Sequence, residues 1–206
     1  YMQSFGFGHM TGIDLADEAS GRLKLPGDAD WYEMELGMNS FGQGLTVTPV
    51  QMLMAISSVA NLKGEMMMPH VLLATVSDGA QYTPAPVKMG QPISAETAQI
   101  LTDMLYKSLL YESSAALVEG YNVAGKTGTA QVAVRGSYDN NLTNASFVGW
   151  GPVEDSQFLV YVWLEKPTSS PWGSVVAAPV FRQVVEQLVV LMDLPPDSVR
   201  ARMGSE

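Results

Sequence analysis

The chain contains no cysteine and only two histidines among its 206 residues. Without cysteine there can be no disulfide, no thiolate nucleophile and no thiolate metal site, and the redox compartment is left open. His9 and His70 lie far apart in sequence, so no histidine-rich metal centre is expected, and no cofactor. Basic residues are scarce, with 11 Lys and Arg against 21 Asp and Glu and a net charge of -10. Nucleic-acid backbones are held by clustered cations, so that partner class is set aside. No basic helix suggests adsorption to anionic lipid either. Long apolar runs are also lacking. The longest candidate, Val175 to Leu191, is interrupted by Pro179, Arg182, Gln183, Glu186 and Gln187 and does not read as a membrane span. The opening Tyr1-Met2-Gln3-Ser4-Phe5 has neither the basic head nor the apolar core of a signal peptide, and reads as a cut inside a longer protein.

What is present suffices for a folded domain. Hydrophobic residues make up 47% of the chain, enough to bury a core. Residues 1–47 are rich in glycine and turn formers, and Phe5-Gly6-Phe7-Gly8 and Phe41-Gly42-Gln43-Gly44 predict tight bends rather than long helices. Gly6, Gly8 and Gly12 have the wrong spacing for a dinucleotide loop. Thr48-Pro49-Val50-Gln51 is a capping box with proline at the first helical position, so the first strong helix begins there and Gly64 should end it. Ser77-Asp78-Gly79 predicts the turn of a small hairpin, and Pro84, Pro86 and Pro92 predict an extended connection. Ser94 should cap a second helix whose buried stripe is Ile100, Leu101, Met104, Leu105 and Leu109. Three strands follow, at about 121–134, 145–152 and 157–165, the last two joined by a short hairpin link. A final helix runs from about Pro179 to Met192 and stops before Pro195-Pro196.

The first of those strands carries Gly125-Lys126-Thr127-Gly128-Thr129-Ala130. In a regular pleat Lys126, Gly128 and Ala130 point to one face and Thr127 and Thr129 to the other. A twisted edge could still bring the cation and the hydroxyls to one rim. Gly128 leaves room for close approach of a backbone or a ligand. A cation, two hydroxyls and the backbone N–H of Thr129 suit a ligand with a carboxylate and a carbonyl that becomes an oxyanion.

Lys-Thr-Gly is also the third active-site motif of penicillin-recognising serine acyl-transfer enzymes. The chain resembles the C-terminal half of the transpeptidase domain of class B penicillin-binding proteins, with five ordered matches along nearly its whole length. Phe5-Gly6-Phe7-Gly8 with Thr11-Gly12-Ile13-Asp14-Leu15 and Glu18 to Gly21 resembles the segment after the middle motif. Ser40 to Gly44 with Thr48-Pro49-Val50-Gln51 resembles the Gly-Gln-Gly and Thr-Pro-Leu-Gln stretch. Ala124 to Gln131, Ala145 to Trp150 and Ala177 to Phe181 are similar to later landmarks.

The resemblance implies a mixed α/β (α+β) fold, with helices packed on an antiparallel sheet. Residues 1–206 would be the C-terminal portion of one transpeptidase domain, holding three strands of a five-stranded sheet. It implies a D,D-transpeptidase that cross-links peptidoglycan through an acyl-serine, acts on acyl-D-alanyl-D-alanine stem peptides and is acylated by β-lactams. The parent would be anchored in the bacterial cytoplasmic membrane, with this domain on the outer face among other cell-wall synthesis proteins. Carried onto this chain, Lys126 supplies positive potential and assists proton transfer. Thr127 and Thr129 bind the ligand carboxylate, Gly128 tolerates no side chain, and the Thr129 N–H is one oxyanion donor.

The departures are as informative. Ser-x-x-Lys, which carries the nucleophile, is absent: the residues three before each lysine are Gly21, Ala60, Ala85, Met104, Val123 and Trp163. The middle Ser-x-Asn motif is absent too, so these residues alone are expected to be inactive. Tyr138-Asp139-Asn140 imitates a middle motif but follows Lys-Thr-Gly instead of preceding it. Asp139, Asn140, Asn141 and Asn144 read as a polar connection between strands. The strand around Phe158 to Leu164 would be left with an open edge, which predicts self-association. The rival readings are a β-lactam sensor or β-lactamase-like protein, and a non-catalytic cell-wall scaffold.

Overall fold

The computed structural model describes residues 1–112, 114–134 and 137–203. The chain forms two compact units, Tyr1–Ala98 and Gln99–Glu206. Helices and antiparallel strands are both present, the mixed class expected from the sequence.

The first unit is tied together by polar side chains that satisfy irregular backbone. Glu18 accepts bonds from the Thr11 N–H at 2.6 Å, the Thr11 hydroxyl at 2.5 Å and the Gly12 N–H at 3.0 Å. Desolvation raises the Glu18 pKa, but these bonds outweigh it and hold the carboxyl below its ordinary value. Asp14 takes the N–H groups of Val71 and Leu72 at 2.7 and 2.8 Å, and the same bonds hold its carboxyl down.

Helix α1 (Glu33–Ser40) precedes the helix at Thr48 and was not legible in the sequence. Its apolar Met34 and Leu36 are 72% and 73% exposed, whereas Glu35 is buried and paired with Lys24. Burial here runs opposite to hydrophobicity, so apolar periodicity carries no helix signal.

Helix α2 (Pro49–Ala60) has the predicted capping box. The Gln51 N–H donates to the Thr48 hydroxyl at 3.1 Å, and the Thr48 N–H donates to Gln51 Oε1 at 2.9 Å. Gln51 does more than cap. Fully buried, it sends its amide to the carbonyls of His9 and Ser20, both at 2.6 Å, and so clamps two loops to the helix. The helix ends at Ala60 with Asn61 as its cap, not at Gly64. Gly64 is needed for another reason: its φ is +74°, and a Cβ would collide with the Ile93 carbonyl.

Strand β1 (Met66–Met67) is followed by the predicted hairpin of β2 (Thr75–Ser77) and β3 (Ala80–Tyr82), turned by Asp78 and Gly79 at φ 52° and 77°. The proline-rich connection contains a strand that was not foreseen, β4 (Lys88–Gly90), paired antiparallel with β1. Helix α3 (Ala95–Glu112) starts in the first unit and continues in the second. Ser94 caps it, accepting from the Thr97 N–H at 3.1 Å. Its predicted stripe is partly wrong, because Ile100 and Met104 are 53% and 60% exposed. The buried line runs through Ala98, Thr102 and Leu109, with Leu101 and Leu105 half-buried. Ala98 and Thr102 are small or polar, and a count of large apolar residues misses them.

The second unit is a three-stranded antiparallel sheet in the order β5 (Ala124–Val134), β6 (Ser137–Gly151), β7 (Phe158–Glu165). The segment holding Asp139, Asn140, Asn141 and Asn144 is not a connection. It is the first part of β6: Asn144 pairs with Ala130, residues 140–142 fall in the register break between Gln131 and Val132, and pairing resumes from Asp139 to Ser137. Strand pairing uses backbone, so polar side chains do not prevent it.

After β7 come α4 (Gly173–Val176) and α5 (Ala178–Leu191). Ala178, Phe181, Val185 and Val189 form the buried stripe of α5, packed in one cluster with Phe147, Phe158 and the inward residues Val160, Val162 and Leu164 of β7. By length and composition residues 173–191 would suffice to cross a membrane, contrary to the sequence reading. Their buried stripe is instead spent on the sheet.

A short helix beyond the double proline, α6 (Asp197–Met203), was also unforeseen. It latches the entry to β5. Asp197 accepts the Asn122 N–H at 2.6 Å, the Asp197 N–H donates to the Gly120 carbonyl at 2.9 Å, and the Tyr121 hydroxyl donates to the Leu194 carbonyl at 2.6 Å.

Candidate active site

The predicted site residues all lie on β5, at one edge of the sheet. β5 pairs only with β6 among the described residues, so alternate backbone N–H and C=O groups on its other side have no strand partner. The strand backs onto a rigid layer. Gly125 faces the Phe147 ring, and a Cβ there would stand 2.8 Å from that ring and 2.7 Å from the Val148 carbonyl. Phe147 in turn stacks against Phe181 of α5, with ring centroids 4.7 Å apart.

Lys126 is exposed, and its Nζ donates to the Thr127 carbonyl at 3.1 Å and the Thr127 hydroxyl at 3.2 Å. Cation and hydroxyl therefore share one rim, although a flat pleat would send them to opposite faces. The long lysine side chain curls back along the open edge of the sheet to make this possible.

At Gly128 the close neighbour is Ser146 on the paired strand, with whose hydroxyl a Cβ would collide. Ser146 also hydrogen-bonds Tyr161; burial pushes the Tyr161 phenol up, and that bond partly offsets it. Ser146 lies in a segment that the sequence marked only as a landmark, and its contact with Gly128 depends on register that sequence does not show.

Thr129 is exposed, and its hydroxyl accepts the Gly173 N–H at 3.3 Å. Gly173 comes 44 residues later in the chain, and no local signal pointed to it. The arrangement puts the Lys126 cation and the Thr127 hydroxyl on one rim of an open strand edge, with the Thr129 hydroxyl two residues along the same strand. That set can hold an anionic ligand beside a strand edge. Among the described residues no group of three or more His, Asp or Glu converges to hold a metal.

Comparison with known proteins gives consistent results. The family model of the penicillin binding protein transpeptidase domain matches residues 1–186. Stage V sporulation protein D of Bacillus subtilis is 34% identical over 202 residues, covering 95% of this chain and 31% of that protein. Penicillin-binding protein PbpB of Mycolicibacterium smegmatis is 30% identical over 208 residues, covering 94% of this chain and 32% of that protein. The chain thus spans about a third of the length of these curated relatives. The crystal structure of penicillin-binding protein 3 from Mycobacterium tuberculosis superposes with a TM-score of 0.84 at 28% identity, over 95% of this chain and 46% of that one. The same protein has been solved in complex with ampicillin, with a TM-score of 0.84.

Proposed function

The chain belongs to the penicillin-binding protein transpeptidase domain family, and on that premise we propose that it forms the Lys-Thr-Gly wall of a peptidoglycan D,D-transpeptidase. The observation that carries this is the shared rim of Lys126 and Thr127, with Nζ 3.2 Å from Oγ1 at an exposed strand edge.

In the intact protein a serine outside these residues attacks the acyl-D-alanyl-D-alanine carbonyl. D-alanine leaves, and an amine from a neighbouring stem peptide resolves the acyl-serine into a cross-link. Lys126 supplies the positive potential that attracts the terminal carboxylate and favours proton transfer. Thr127 and Thr129 hydrogen-bond that carboxylate, and the Thr129 N–H is one donor to the oxyanion. A β-lactam presents the same carboxylate and carbonyl, and the ampicillin complex of the Mycobacterium tuberculosis relative supports β-lactams as ligands.

On the same reading, residues 1–206 are part of a single transpeptidase domain, and the family match running through both compact units supports this. The parent is anchored in the bacterial cytoplasmic membrane and displays the domain on its outer face, alongside other cell-wall synthesis proteins.

The test is intact mass after exposure to benzylpenicillin. One stable adduct on the intact protein, at a serine outside this sequence, and none on the 206-residue chain is the expected result. Rapid turnover of the drug would favour a β-lactamase-like protein. No adduct on a folded intact protein would favour a scaffold. An adduct on the chain alone would refute its predicted inactivity.

The outer edge of β7 pairs with no strand among the described residues. Its backbone N–H and C=O groups can add a strand from another molecule, so the isolated chain is expected to self-associate through Phe158–Glu165. Light scattering at rising concentration should show mass above the monomer; a clean monomer throughout would refute the proposal.

A further inference from the structure

Gly173 opens α4, directly after the segment that follows β7. It rests on bare backbone of the two strands that build the site. A Cβ at this position would collide with the Ser146 carbonyl and stand 2.5 Å from the Gly128 carbonyl and 3.2 Å from the Ser146 nitrogen. These obstacles are main chain and cannot swing aside as a flexible side chain would. Its buried α-carbon thus fixes where the Gly173 N–H can point.

That N–H donates to Thr129 Oγ1 at 3.3 Å. The segment leading to it is held along its length. The Lys166 N–H meets Asn144 Oδ1 at 3.4 Å, the buried Thr143 hydroxyl donates to the Pro171 carbonyl at 3.0 Å, and the Trp172 N–H donates to the Ser170 hydroxyl at 3.3 Å. The donor reaching Thr129 is therefore part of a braced structure.

A threonine hydroxyl has one proton to give and lone pairs to receive. A donor bonded to one lone pair restricts the hydroxyl rotor and leaves its proton to find an acceptor elsewhere. A carboxylate is acceptor-only, so it needs a hydroxyl turned in this sense. We propose that Gly173 is a positioning residue: by donating to Thr129 Oγ1 it sets that hydroxyl as a donor toward the ligand carboxylate. This rests on the transpeptidase reading of the site. It adds that the serviceable orientation of Thr129 is imposed by a backbone amide distant in sequence, and that glycine is required at 173 for its lack of a side chain.

The experiment is a double-mutant cycle on the intact protein, reading the second-order rate of acylation by benzylpenicillin. Thr129→Val should slow acylation about ten- to hundredfold, the loss of a hydrogen bond to a charged group. Gly173→Ala should cause most of the same loss. The two together should be slower than Thr129→Val alone by clearly less than the factor Gly173→Ala costs in wild type, because the part of that loss carried by the hydroxyl is already gone. In a Thr129→Ser background, which keeps the hydroxyl, the Gly173→Ala penalty should persist.

Multiplying penalties in the double variant, or an unimpaired Gly173→Ala protein, would overturn the inference while leaving the transpeptidase reading intact. An unmodified wild-type protein would sink that reading and the inference with it. Should Gly173→Ala fail to fold, amide exchange at Gly173 decides the matter. It should speed up about fivefold in Thr129→Val relative to wild type, the loss of one ordinary hydrogen bond, and unchanged exchange would overturn the proposal.

Discussion

Replacing Lys126 by alanine in the intact protein should slow acylation by benzylpenicillin about a hundred- to thousandfold, the scale of removing one preorganised group from an electrostatic site. The same change should leave stability within about 0.5 kcal/mol of wild type, as for surface substitutions away from structural features. The reasons are local. Lys126 is exposed, and among the described residues its side chain bonds only Thr127 beside it. The fold therefore loses little when it goes. The ligand loses the cation of the rim, and Thr127 loses the donor that engages its hydroxyl and carbonyl. Lys126→Arg keeps the charge but presents a planar fork in place of a point charge, so it should recover part of the rate. An alanine variant acylated at the wild-type rate would remove Lys126 from the mechanism. A variant that unfolds would show the residue to be structural.

Phe181→Ala should have the opposite signature, a large loss of stability from a residue remote from the ligand. The ring is fully buried and lies 4.7 Å, centroid to centroid, from the fully buried ring of Phe147, at an interplanar angle of 48°. It also presses on the backbone of β6, for a Cβ at Gly149 would stand 2.6 Å from it. Truncation removes the aromatic pair and leaves a void between helix and sheet that rigid strands cannot close. The expected cost is about 3–5 kcal/mol. For a chain of this size that is a fall in Tm of about 6–20 °C. Calorimetry on wild type and variant measures it directly, and a shift smaller than about 2 °C would mean that the site collapses around the missing ring. The effect bears on function as well, because Phe147 is the ring beneath Gly125, next to Lys126.

Much of the architecture was legible because it depends on local chemistry. Thr48, Pro49 and Gln51 announce the start of α2 through a cap that neighbouring residues complete themselves. Ser94 does the same for α3, and Asp78-Gly79 specifies its hairpin turn by backbone conformation alone. What failed depended on distant partners. α1 buries a glutamate and exposes Met34 and Leu36, and only the ion pair with Lys24 makes sense of that. The polar half of β6 is a strand because β5 lies beside it in a slipped register. α6 exists where Gly120 and Asn122 can receive and donate its bonds.

The candidate site divides along the same line. The sequence by itself determined which chemical groups the edge strand carries, since Lys126, Thr127, Gly128 and Thr129 are consecutive, but not which of them share a face. It also determined that no Ser-x-x-Lys lies within these residues. Only the tertiary structure decided how those groups are aimed. Ser146 fills the space beside Gly128, Phe147 and Phe181 brace the strand from behind, and Gly173 reaches the Thr129 hydroxyl from 44 residues away. Composition follows from the order of residues along one strand. Orientation follows from contacts between strands and helices, whose register and packing are set by burial across the whole unit.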